Sequence, residues 1–452
     1  MRILHATSLT ALIASTVSTS DTIVSIKSGV EDVNILRLPR MLRNAGYMPD
    51  QKIVSFLDTA EITTLGYVHS QVVQTSAVTV DSETLCSFVA MASKQLLLQS
   101  ECGEDVDGDA FGLTDSTLHV NDADARYQKH LEWMKMGEVW RLSSPHVTRT
   151  VKVAVTDSGI DWTDPDFAPL KGTLKRKSGG YLEGRWNFFT NSSILTFKDP
   201  HGTEVCKVLA AKSNNSVGIA GVAPSVRLVP LQMVDDNKKM PLSKFLAALK
   251  MAIDLEVDII STSVGYYFMN YRSNTTAQFR WLWEALRVAQ DSGILLVSAS
   301  GYYTSRREFD FPCWYGGPLG MCVAYMQDNK TRNALDTFSG YGERVDVAAY
   351  GKNIFTGFDK NGNPKYFNGS SAATPIVAGL AAILLSMDVE PSMVKRLILA
   401  NVDPVECEMP VLMPQTIRGG AINALRTVQH AISWLSSRPR ALRGKDAFDA
   451  EK

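Results

Sequence analysis

Two patterns of hydrophobic and polar positions alternate along the chain from about residue 125. Continuous apolar runs predict buried strands at 151–155, 227–232, 257–261 and 294–298. Amphipathic runs predict helices between them, most clearly at 241–253, with Ser243 as the cap, and at 281–290. Strands that alternate with helices form βαβ units around a parallel sheet. The pattern therefore predicts an α/β fold whose doubly wound, mostly parallel sheet is covered by helices on both faces.

Residues 21 to about 105 show a different pattern, with short β-rich runs at 22–26 and 72–80. One amphipathic helix is indicated by apolar residues on a single face, at Leu85, Phe88, Val89 and Ala92. The stretch 104–115 is acidic, contains glycine and has no periodicity, which is typical of exposed linkers that proteases cut. We therefore expect a small α+β unit followed by a linker.

The first 20 residues have the layout of a secretory signal peptide, with Arg2, an apolar run over 6–17 and then small residues. A signal anchor is the alternative, because the cleavage site is not sharply defined. No later stretch is long enough to cross a bilayer, and the apolar run after Ser371 contains Pro375, which we place in the first turn of a buried helix. These features predict a secreted protein without stable membrane insertion.

Length and charge narrow the possible partners. The 452 residues suggest two folded units with tails. Lys and Arg number 46 and Asp and Glu number 47, so the formal net charge is −1. A chain so close to neutral has no excess positive charge with which to bind a polyanion, which argues against nucleic acid as a partner.

Six cysteines are present, and none stands in a metal-binding pattern such as Cys-x-x-Cys. In an oxidising compartment Cys313 could pair with Cys322, and Cys86 with Cys102, but the sequence leaves the connectivity open. A glycosylating cell could modify three Asn-x-Ser/Thr sequons, which begin at Asn191, Asn274 and Asn329.

Three short stretches carry the candidate chemistry. Asp157 follows the strand predicted at 151–155, at the sheet edge where α/β proteins build their sites. His201 opens a small-residue helical run, and Ser371 begins an apolar helix whose free amides and dipole favour an oxyanion. A serine becomes a nucleophile when a histidine takes its proton, and a buried carboxylate orients that histidine. Each residue alone also fits a turn, a structural histidine or a helix cap, but the order Asp, His, Ser on an α/β scaffold is far more specific.

The residues around these positions resemble the three active-site signatures of the subtilisin-like serine proteases. The stretches are Asp-Ser-Gly-Ile-Asp from Asp157, His-Gly-Thr-Glu-Val from His201 and Asn-Gly-Ser-Ser-Ala-Ala-Thr-Pro from Asn368. The resemblance covers about 125–432 and implies a subtilisin-like fold and a secreted endopeptidase made as a self-processing precursor. It divides the chain into a signal peptide at 1–20, an α+β propeptide at 21–110, a linker with the processing site at 111–125, a catalytic domain at 126–432 and a polar tail at 433–452.

The resemblance also implies roles for single residues. The catalytic triad would consist of Asp157, His201 and Ser371. Extended peptide substrates would pair with a segment formed by Ser263, Val264 and Gly265. The oxyanion would be bound by Ser371 and the side chain at 302, where Tyr302 replaces the usual asparagine and places its hydroxyl much farther from the backbone. A catalytically impaired pseudo-protease with a binding or regulatory role is therefore the alternative.

A structural calcium site is implied as well. The ligands would be the side chains of Asp166 and Asn215 and the main-chain carbonyls of Ser213, Val217 and Ile219. Calcium takes several hard oxygen ligands in flexible geometry, which a carbonyl-rich loop supplies. The alternative is a turn rich in Asn and Gly that binds no ion.

Substrate preference depends on Asp310, which the resemblance puts at the floor of the pocket for the residue before the scissile bond. A carboxylate there would favour Lys or Arg, unless Arg306 and Arg307 neutralise it. No basic residue lies between Lys94 and Arg126, whereas large apolar residues in the linker region are Phe111, Leu113 and Leu118. Self-cleavage between about 105 and 126 thus favours a broad pocket for large apolar residues. The expected partners are protein or peptide substrates and the chain's own propeptide as inhibitor, and we expect a monomer.

Overall fold

The computed structural model describes residues 22–28, 31–65, 70–74, 80, 82–104, 117–267, 277–301, 310–407 and 417–437. The chain falls into two compact units, Met1–Gly108 and Asp109–Lys452. The signal peptide predicted at 1–20 lies outside the described residues. So does the end of the predicted polar tail, after residue 437.

The first unit is an α+β fold built on an antiparallel sheet. Its strands are β1 (Thr22–Ser28), β2 (Glu31–Asp32), β3 (Glu61–Leu65), β4 (Ser70–Gln74) and β5 (Gln99–Glu104). Its helices are α1 (Leu38–Asn44), α2 (Gln51–Leu57) and α3 (Ser82–Leu96). The four apolar residues of the predicted helix lie in α3 and are buried in the core of this unit. A disulfide between Cys86 and Cys102 joins α3 to β5, with the two Cα atoms 5.3 Å apart.

The second unit carries the alternating helices and strands. Its helices are α4 (Lys129–Trp133), α5 (Met136–Ser143), α6 (His201–Ala210), α7 (Leu242–Asp254), α8 (Ala277–Asp291), α9 (Ser370–Ser386), α10 (Pro391–Leu399) and α11 (Ala424–Ser437). Its strands are β6 (Lys152–Asp157), β7 (Leu174–Lys175), β8 (Tyr181–Leu182), β9 (Trp186–Asn187), β10 (Arg227–Gln232), β11 (Ile259–Thr262), β12 (Tyr266–Tyr267), β13 (Leu295–Ala299), β14 (Asp310–Phe311), β15 (Gly320–Met326), β16 (Ala334–Leu335), β17 (Val347–Tyr350), β18 (Ile354–Phe358), β19 (Pro364–Phe367) and β20 (Glu406–Cys407).

The central sheet has the strand order β20-β16-β15-β13-β11-β6-β10-β9, with β17 beside β15. Among the described strands of this sheet, β15 and β16 are the only antiparallel neighbours. One face packs against α9 and α6, and the opposite face packs against α7 and α8. Strands buried on both faces explain why the sequence shows continuous apolar runs there. The α/β prediction, with helices on both faces of a mostly parallel sheet, is confirmed.

Helix α9 differs from the prediction for its first turn. It begins at Ser370, so Pro375 is its sixth residue and lies inside the helix. The carbonyl of Ser371 would normally accept a hydrogen bond from the N–H of residue 375, which proline lacks. The hydroxyl of Ser263 donates to that carbonyl instead, at 3.1 Å. The proline thus frees a carbonyl that ties α9 to the end of β11.

The cap predicted for the helix at 241–253 is wrong. Helix α7 begins at Leu242 with Pro241 at the N-cap, so Ser243 is already the second helical residue and its side chain does not cap the helix. Pro241 has an extended backbone, with φ −62° and ψ 134°, so it is not part of the helix. The helix therefore starts at the next residue, with the proline as its N-cap.

The segment 117–125, which the sequence predicts as the end of a linker, is packed into the second unit. Leu118, Val120 and Ala125 are all at most 2% exposed and belong to the same hydrophobic core as α9. A second disulfide, between Cys313 and Cys322, is part of this core, with its Cα atoms 4.7 Å apart. Of the helices in the described ranges, none has the length and apolar character needed to cross a membrane.

Candidate active site

The carboxyl ends of three neighbouring strands bring the candidate residues to one edge of the central sheet. Asp157 is the last residue of β6, Ser263 follows β11, and Ser300 follows β13. In parallel strands these ends lie at the same edge, which is where α/β proteins bind their ligands. His201, the first residue of α6, contacts Asp157, and Ser371, near the start of α9, contacts Ser263.

Asp157 and His201 form a hydrogen bond of 2.7 Å between Oδ1 and Nδ1. The Asp157 side chain is buried, whereas that of His201 is 28% exposed. The main-chain N–H of Ser158 also donates to Oδ1, at 2.7 Å, and Oδ2 has no hydrogen-bond partner within the described residues. A buried carboxylate fixes the ring with its proton on Nδ1, which leaves Nε2 free to accept another proton.

The charges around His201 raise its proton affinity. Burial lowers the pKa of the ring, but the charge and hydrogen bond of Asp157 and the charges of Asp199 and Glu204 outweigh burial, so that the pKa lies above its ordinary value of 6.5. Phe367 packs edge-on against the ring, with 5.3 Å between the centroids. This contact helps to fix the plane of the imidazole.

The glycine that precedes α9, two residues before Ser371, has an unusual conformation. Gly369 has φ 105°, which residues with a side chain rarely adopt. The Ser371 hydroxyl donates to the main-chain oxygen of Ser263 at 3.1 Å, and the Ser263 hydroxyl donates back to the main-chain oxygen of Ser371 at the same distance. Within the described ranges no hydrogen bond joins Ser371 to His201. The structure therefore brings together Asp157 and His201, while the Ser371 hydroxyl is turned to Ser263.

The oxyanion region is described in part. No acceptor among the described residues engages the main-chain N–H of Ser371, which is therefore available as a donor. Ser370 is tied to Gly301, because its hydroxyl accepts from the Gly301 N–H at 3.1 Å and lies 3.2 Å from the Gly301 carbonyl oxygen. Tyr302, the next residue, lies outside the described residues.

The segment predicted to pair with substrates runs from Ser263, which is buried, through Val264 to Gly265, which is exposed. It continues into β12, which pairs with β14 so that Tyr266 faces Phe311. Asp310 belongs to β14, next to this segment in the sheet, and its side chain is outside the described atoms. The predicted substrate segment and the predicted pocket floor are therefore joined through one short two-stranded sheet.

The loop predicted to bind calcium folds around Asp166. The Asn215 side-chain amide donates to Oδ1 of Asp166 at 3.1 Å, and the Ile219 N–H donates to Oδ2 at 3.2 Å. Burial raises the pKa of Asp166 to about 6, although both hydrogen bonds act in the opposite direction. In the described part of the chain no donor engages the main-chain oxygens of the other three predicted ligands, Ser213, Val217 and Ile219.

These features fit a calcium ion. The hydrogen-bond donors to Asp166 are neutral, and Lys207, whose positive charge acts on it, is paired with Asp164 at 2.7 Å. The loop offers uncommitted carbonyl oxygens of the kind that calcium prefers. Within the described residues no group of three or more His, Cys, Asp or Glu side chains is arranged to hold a metal. A cation here would therefore rely largely on amide and carbonyl oxygens.

Two further buried residues, one at this loop and one in α6, were not predicted from the sequence. The buried Asp122 accepts from the N–H groups of Asn214 at 2.9 Å and Asn215 at 3.2 Å, and burial raises its pKa. About 90 residues separate it from that loop, so no local pattern predicts the contact.

Cys206 in α6 is a free, buried cysteine, and burial together with the nearby Asp157 charge raises the pKa of its thiol. Such a thiol is a poor nucleophile.

Known proteins match the part of the chain that contains these residues. A family model described as the subtilase family matches residues 148–423, more than half of the chain. A thermophilic serine proteinase from Bacillus sp. (strain AK1) is 32% identical over 235 residues, which are 52% of each chain. Thermitase from Thermoactinomyces vulgaris is 28% identical over 279 residues, 62% of this chain and 88% of thermitase. The match thus spans about half of the first relative's length. A structure of the protease domain of PatA has the same fold, with a TM-score of 0.50, 21% identity and coverage of 63% of this chain and 96% of that domain.

Proposed function

The chain belongs to the subtilase family, and on that basis we propose that it is a secreted serine endopeptidase with Asp157, His201 and Ser371 as its catalytic triad. The observation that carries the proposal is the 2.7 Å hydrogen bond between a buried Asp157 and His201, at the sheet edge where α9 begins. The alternative of an impaired pseudo-protease is not favoured, because this pair is assembled and the relative from Bacillus sp. is named a serine proteinase.

The reaction would follow from these positions. Nε2 of His201 takes the proton of the Ser371 hydroxyl as Oγ attacks the scissile carbonyl, and Asp157 stabilises the imidazolium that forms. The oxyanion of the tetrahedral intermediate accepts a hydrogen bond from the main-chain N–H of Ser371. The intermediate collapses as His201 gives its proton to the leaving amine. The same ring nitrogen then takes a proton from a water molecule as the water attacks the acyl-enzyme. His201 gives that proton to Oγ of Ser371 as the acid product leaves.

Before that reaction the Ser371 hydroxyl has to change its hydrogen-bond partner. It now donates to the carbonyl oxygen of Ser263 and must turn toward Nε2 of His201. Nucleophile and base often tighten their contact only when substrate is bound. An extended substrate that pairs along the segment 263–265 would approach the same carbonyl, and we propose that its arrival favours the rotation.

Tyr302 would supply the second oxyanion donor or leave that place empty. Its hydroxyl can donate a hydrogen bond, but it extends farther from the backbone than the amide of an asparagine. The Ser371 N–H stays available in either case and would supply part of the stabilisation.

We propose that the chain is a precursor, with a signal peptide at 1–20 and an inhibitory, chaperone-like propeptide at 21–110. The packing of 117–125 supports a processing site before Thr117. A cut after Arg126 would detach Leu118, Val120 and Ala125 from the core that holds α9, together with the Asp122 contacts to the 213–219 loop. The cut therefore belongs in 105–116, which lies outside the described residues.

That position has a consequence for specificity. No Lys or Arg occurs in 105–116, so a self-cleaving enzyme must accept a non-basic residue before the scissile bond. Phe111 and Leu113 are the large apolar candidates there, and the buried Leu118 is no longer one. We propose a pocket that prefers large apolar residues, in which Asp310 does not select for Lys or Arg. N-terminal sequencing of the mature form tests this directly, because a start at Tyr127 would contradict it.

We also propose that the loop 213–219 and Asp166 hold a structural calcium ion, with the side chain of Asn215 and the carbonyls of Ser213, Val217 and Ile219. The orientation of Asp122 toward the same loop supports this proposal and adds a second carboxylate nearby. The ion would compensate the buried charge and tie together segments that are far apart in sequence.

Covalent labelling with a fluorophosphonate tests the proposed activity. The purified full chain should be labelled, Ser371→Ala should not be labelled, and the exposed control Ser292→Ala should react like the wild type. Ser371→Ala should also accumulate as an unprocessed precursor. Equal labelling of wild type and Ser371→Ala would contradict the assignment of the nucleophile, and normal maturation of Ser371→Ala in isolation would contradict self-processing.

A further inference from the structure

A cavity of about 540 Å³ lies at the opposite end of α9 from Ser371. Its volume is within the range of about 300–1,000 Å³ that small-molecule sites occupy. The floor is apolar and is formed by buried residues from four parts of the fold: Leu118, Val120, Val151, Val226, Ala382 and Ile383. Ile383 comes twelve residues after Ser371 in α9, which is about 18 Å along the helix axis. The cavity is therefore separate from the candidate active site.

The rim of this cavity is polar and positively charged. Its charged or titratable side chains are the exposed His119, Arg141 and Arg149, and no Asp or Glu lines it among the described residues. Arg149 is paired with Asp258 at 2.7 Å, so much of its charge is neutralised. Arg141, on α5, has no ion pair within the described ranges. An apolar floor below an unpaired guanidinium is complementary to a molecule with an apolar body and an anionic end.

We propose that this cavity binds a single-chain amphiphile with a carboxylate head, such as a medium-chain fatty acid. The acyl chain would lie against the floor formed by the segment 118–120, the residues just before β6 and β10, and the end of α9, and the carboxylate would reach Arg141 at the rim. The hydroxyl and amide groups of Thr150, Ser225 and Asn214 at the rim offer further hydrogen bonds to the head group. This site is independent of the proposed protease chemistry, because no residue of the triad contributes to it.

Calorimetry with a chain-length series tests the acyl part of the proposal. Octanoate, decanoate and dodecanoate would be titrated into the full chain, each below its critical micelle concentration. The expected result is a single site whose affinity rises about threefold to fourfold for each added methylene, since each buried methylene contributes a similar increment. Dodecyltrimethylammonium, which has the same chain and the opposite charge, should bind at least tenfold more weakly than dodecanoate. Equal binding of the two, or affinity that does not depend on chain length, would overturn the proposal.

A pair of variants tests the head-group contact. Arg141→Gln should weaken dodecanoate binding about tenfold, because it removes a charge-assisted hydrogen bond at an exposed position without disturbing the core. Lys250 is also an exposed cation, on α7, and Lys250→Gln should bind dodecanoate like the wild type. Melting curves of both variants check that they are folded. If Arg141→Gln is folded and binds dodecanoate as tightly as the wild type, the assignment is wrong, whatever the outcome for the protease activity.

Discussion

Asp157 and Asp166 are two buried carboxylates of the same unit, each 1% exposed, and they differ in what surrounds them. Asp157 accepts from a histidine at 2.7 Å, whereas Asp166 accepts from the neutral amides of Asn215 at 3.1 Å and Ile219 at 3.2 Å. The first accepts from a donor that can carry a positive charge. The second accepts from neutral donors, and the nearby Lys207 charge, which is paired with Asp164 at 2.7 Å, does not offset burial, so the pKa of Asp166 is raised to about 6.

This difference shows how one fold can use buried acids in two ways. A carboxylate beside an imidazole stabilises a proton that moves during a reaction, so its charge is part of the chemistry. A carboxylate among neutral donors needs either its own proton or a cation from solution to be stable in the interior. The same physical cost of burial therefore supports catalysis at Asp157 and, in our proposal, metal binding at Asp166.

The largest effect is expected for Asp157→Asn. An asparagine amide can donate to Nδ1, which would place the histidine proton on Nε2 and remove its ability to act as a base. We expect kcat to fall by about 10⁴-fold, as for the equivalent change in another Ser-His-Asp enzyme. Peptide hydrolysis measures the effect, and the melting temperature checks the fold. Asp166→Asn assayed in calcium should lose less than threefold in kcat, and similar losses in both variants would refute the division of roles.

The second effect concerns removal of the metal. Calcium at a hundredfold excess over its Kd would contribute about 2.7 kcal/mol to the free energy of unfolding, so chelation should lower the melting temperature by about 3 °C or more. Asp166→Asn should melt at the same temperature with and without chelator. The exposed control Asp388→Asn should keep the wild-type sensitivity to chelator. A wild-type melting curve that chelator leaves unchanged would remove calcium from the proposal.

The third effect is the pH dependence of stability without calcium. The pKa of Asp166 is about 6 in the folded protein, and its ordinary value, which applies to the unfolded chain, is 3.8. Between these two pH values the folded state therefore binds more protons than the unfolded state. The contribution of Asp166 to the free energy of unfolding is then highest below about pH 4 and falls as pH rises toward 6, by about 2 kcal/mol. The difference in melting temperature between wild type and Asp166→Asn, measured in chelator, isolates this contribution. Calcium should abolish the decline, and a difference that stays constant from pH 4 to 6 would contradict it.

The fold could be predicted from the sequence where burial leaves a local pattern. The run 227–232 coincides with β10, and the run 151–155 predicts β6 apart from its last two residues. Those two residues, Thr156 and Asp157, are polar and buried only because neighbouring strands and helices cover them. Likewise, Ser243 looks like a helix cap by residue type, but the geometry of Pro241 moves the start of the helix.

The candidate site was less predictable where it depends on tertiary contacts. Motifs indicated Asp157, His201 and Ser371, and the structure puts all three at one sheet edge; their catalytic roles stay a prediction. The bond of the Ser371 hydroxyl to Ser263 follows from how α9 meets β11, over 108 residues of sequence separation. The contact of Asp122 with the 213–219 loop likewise spans 92 residues to Asn214. Side chains brought together over such distances leave no periodic signal.

The smallest effect shows how far neighbours other than Asp157 set the proton affinity of His201. Glu204, three residues along α6, contributes to the raised pKa of His201 and forms an ion pair with Lys365 at 3.4 Å. In Glu204→Gln a negative charge near the ring is lost and Lys365 loses its acid, so both changes disfavour the imidazolium. Because the reaction needs the neutral ring, the acid limb of kcat/KM should move to lower pH, by about 0.3. The exposed control Glu284→Gln on α8 should leave the limb in place. A shift to higher pH, or none, would mean that Glu204 does not raise the proton affinity of His201.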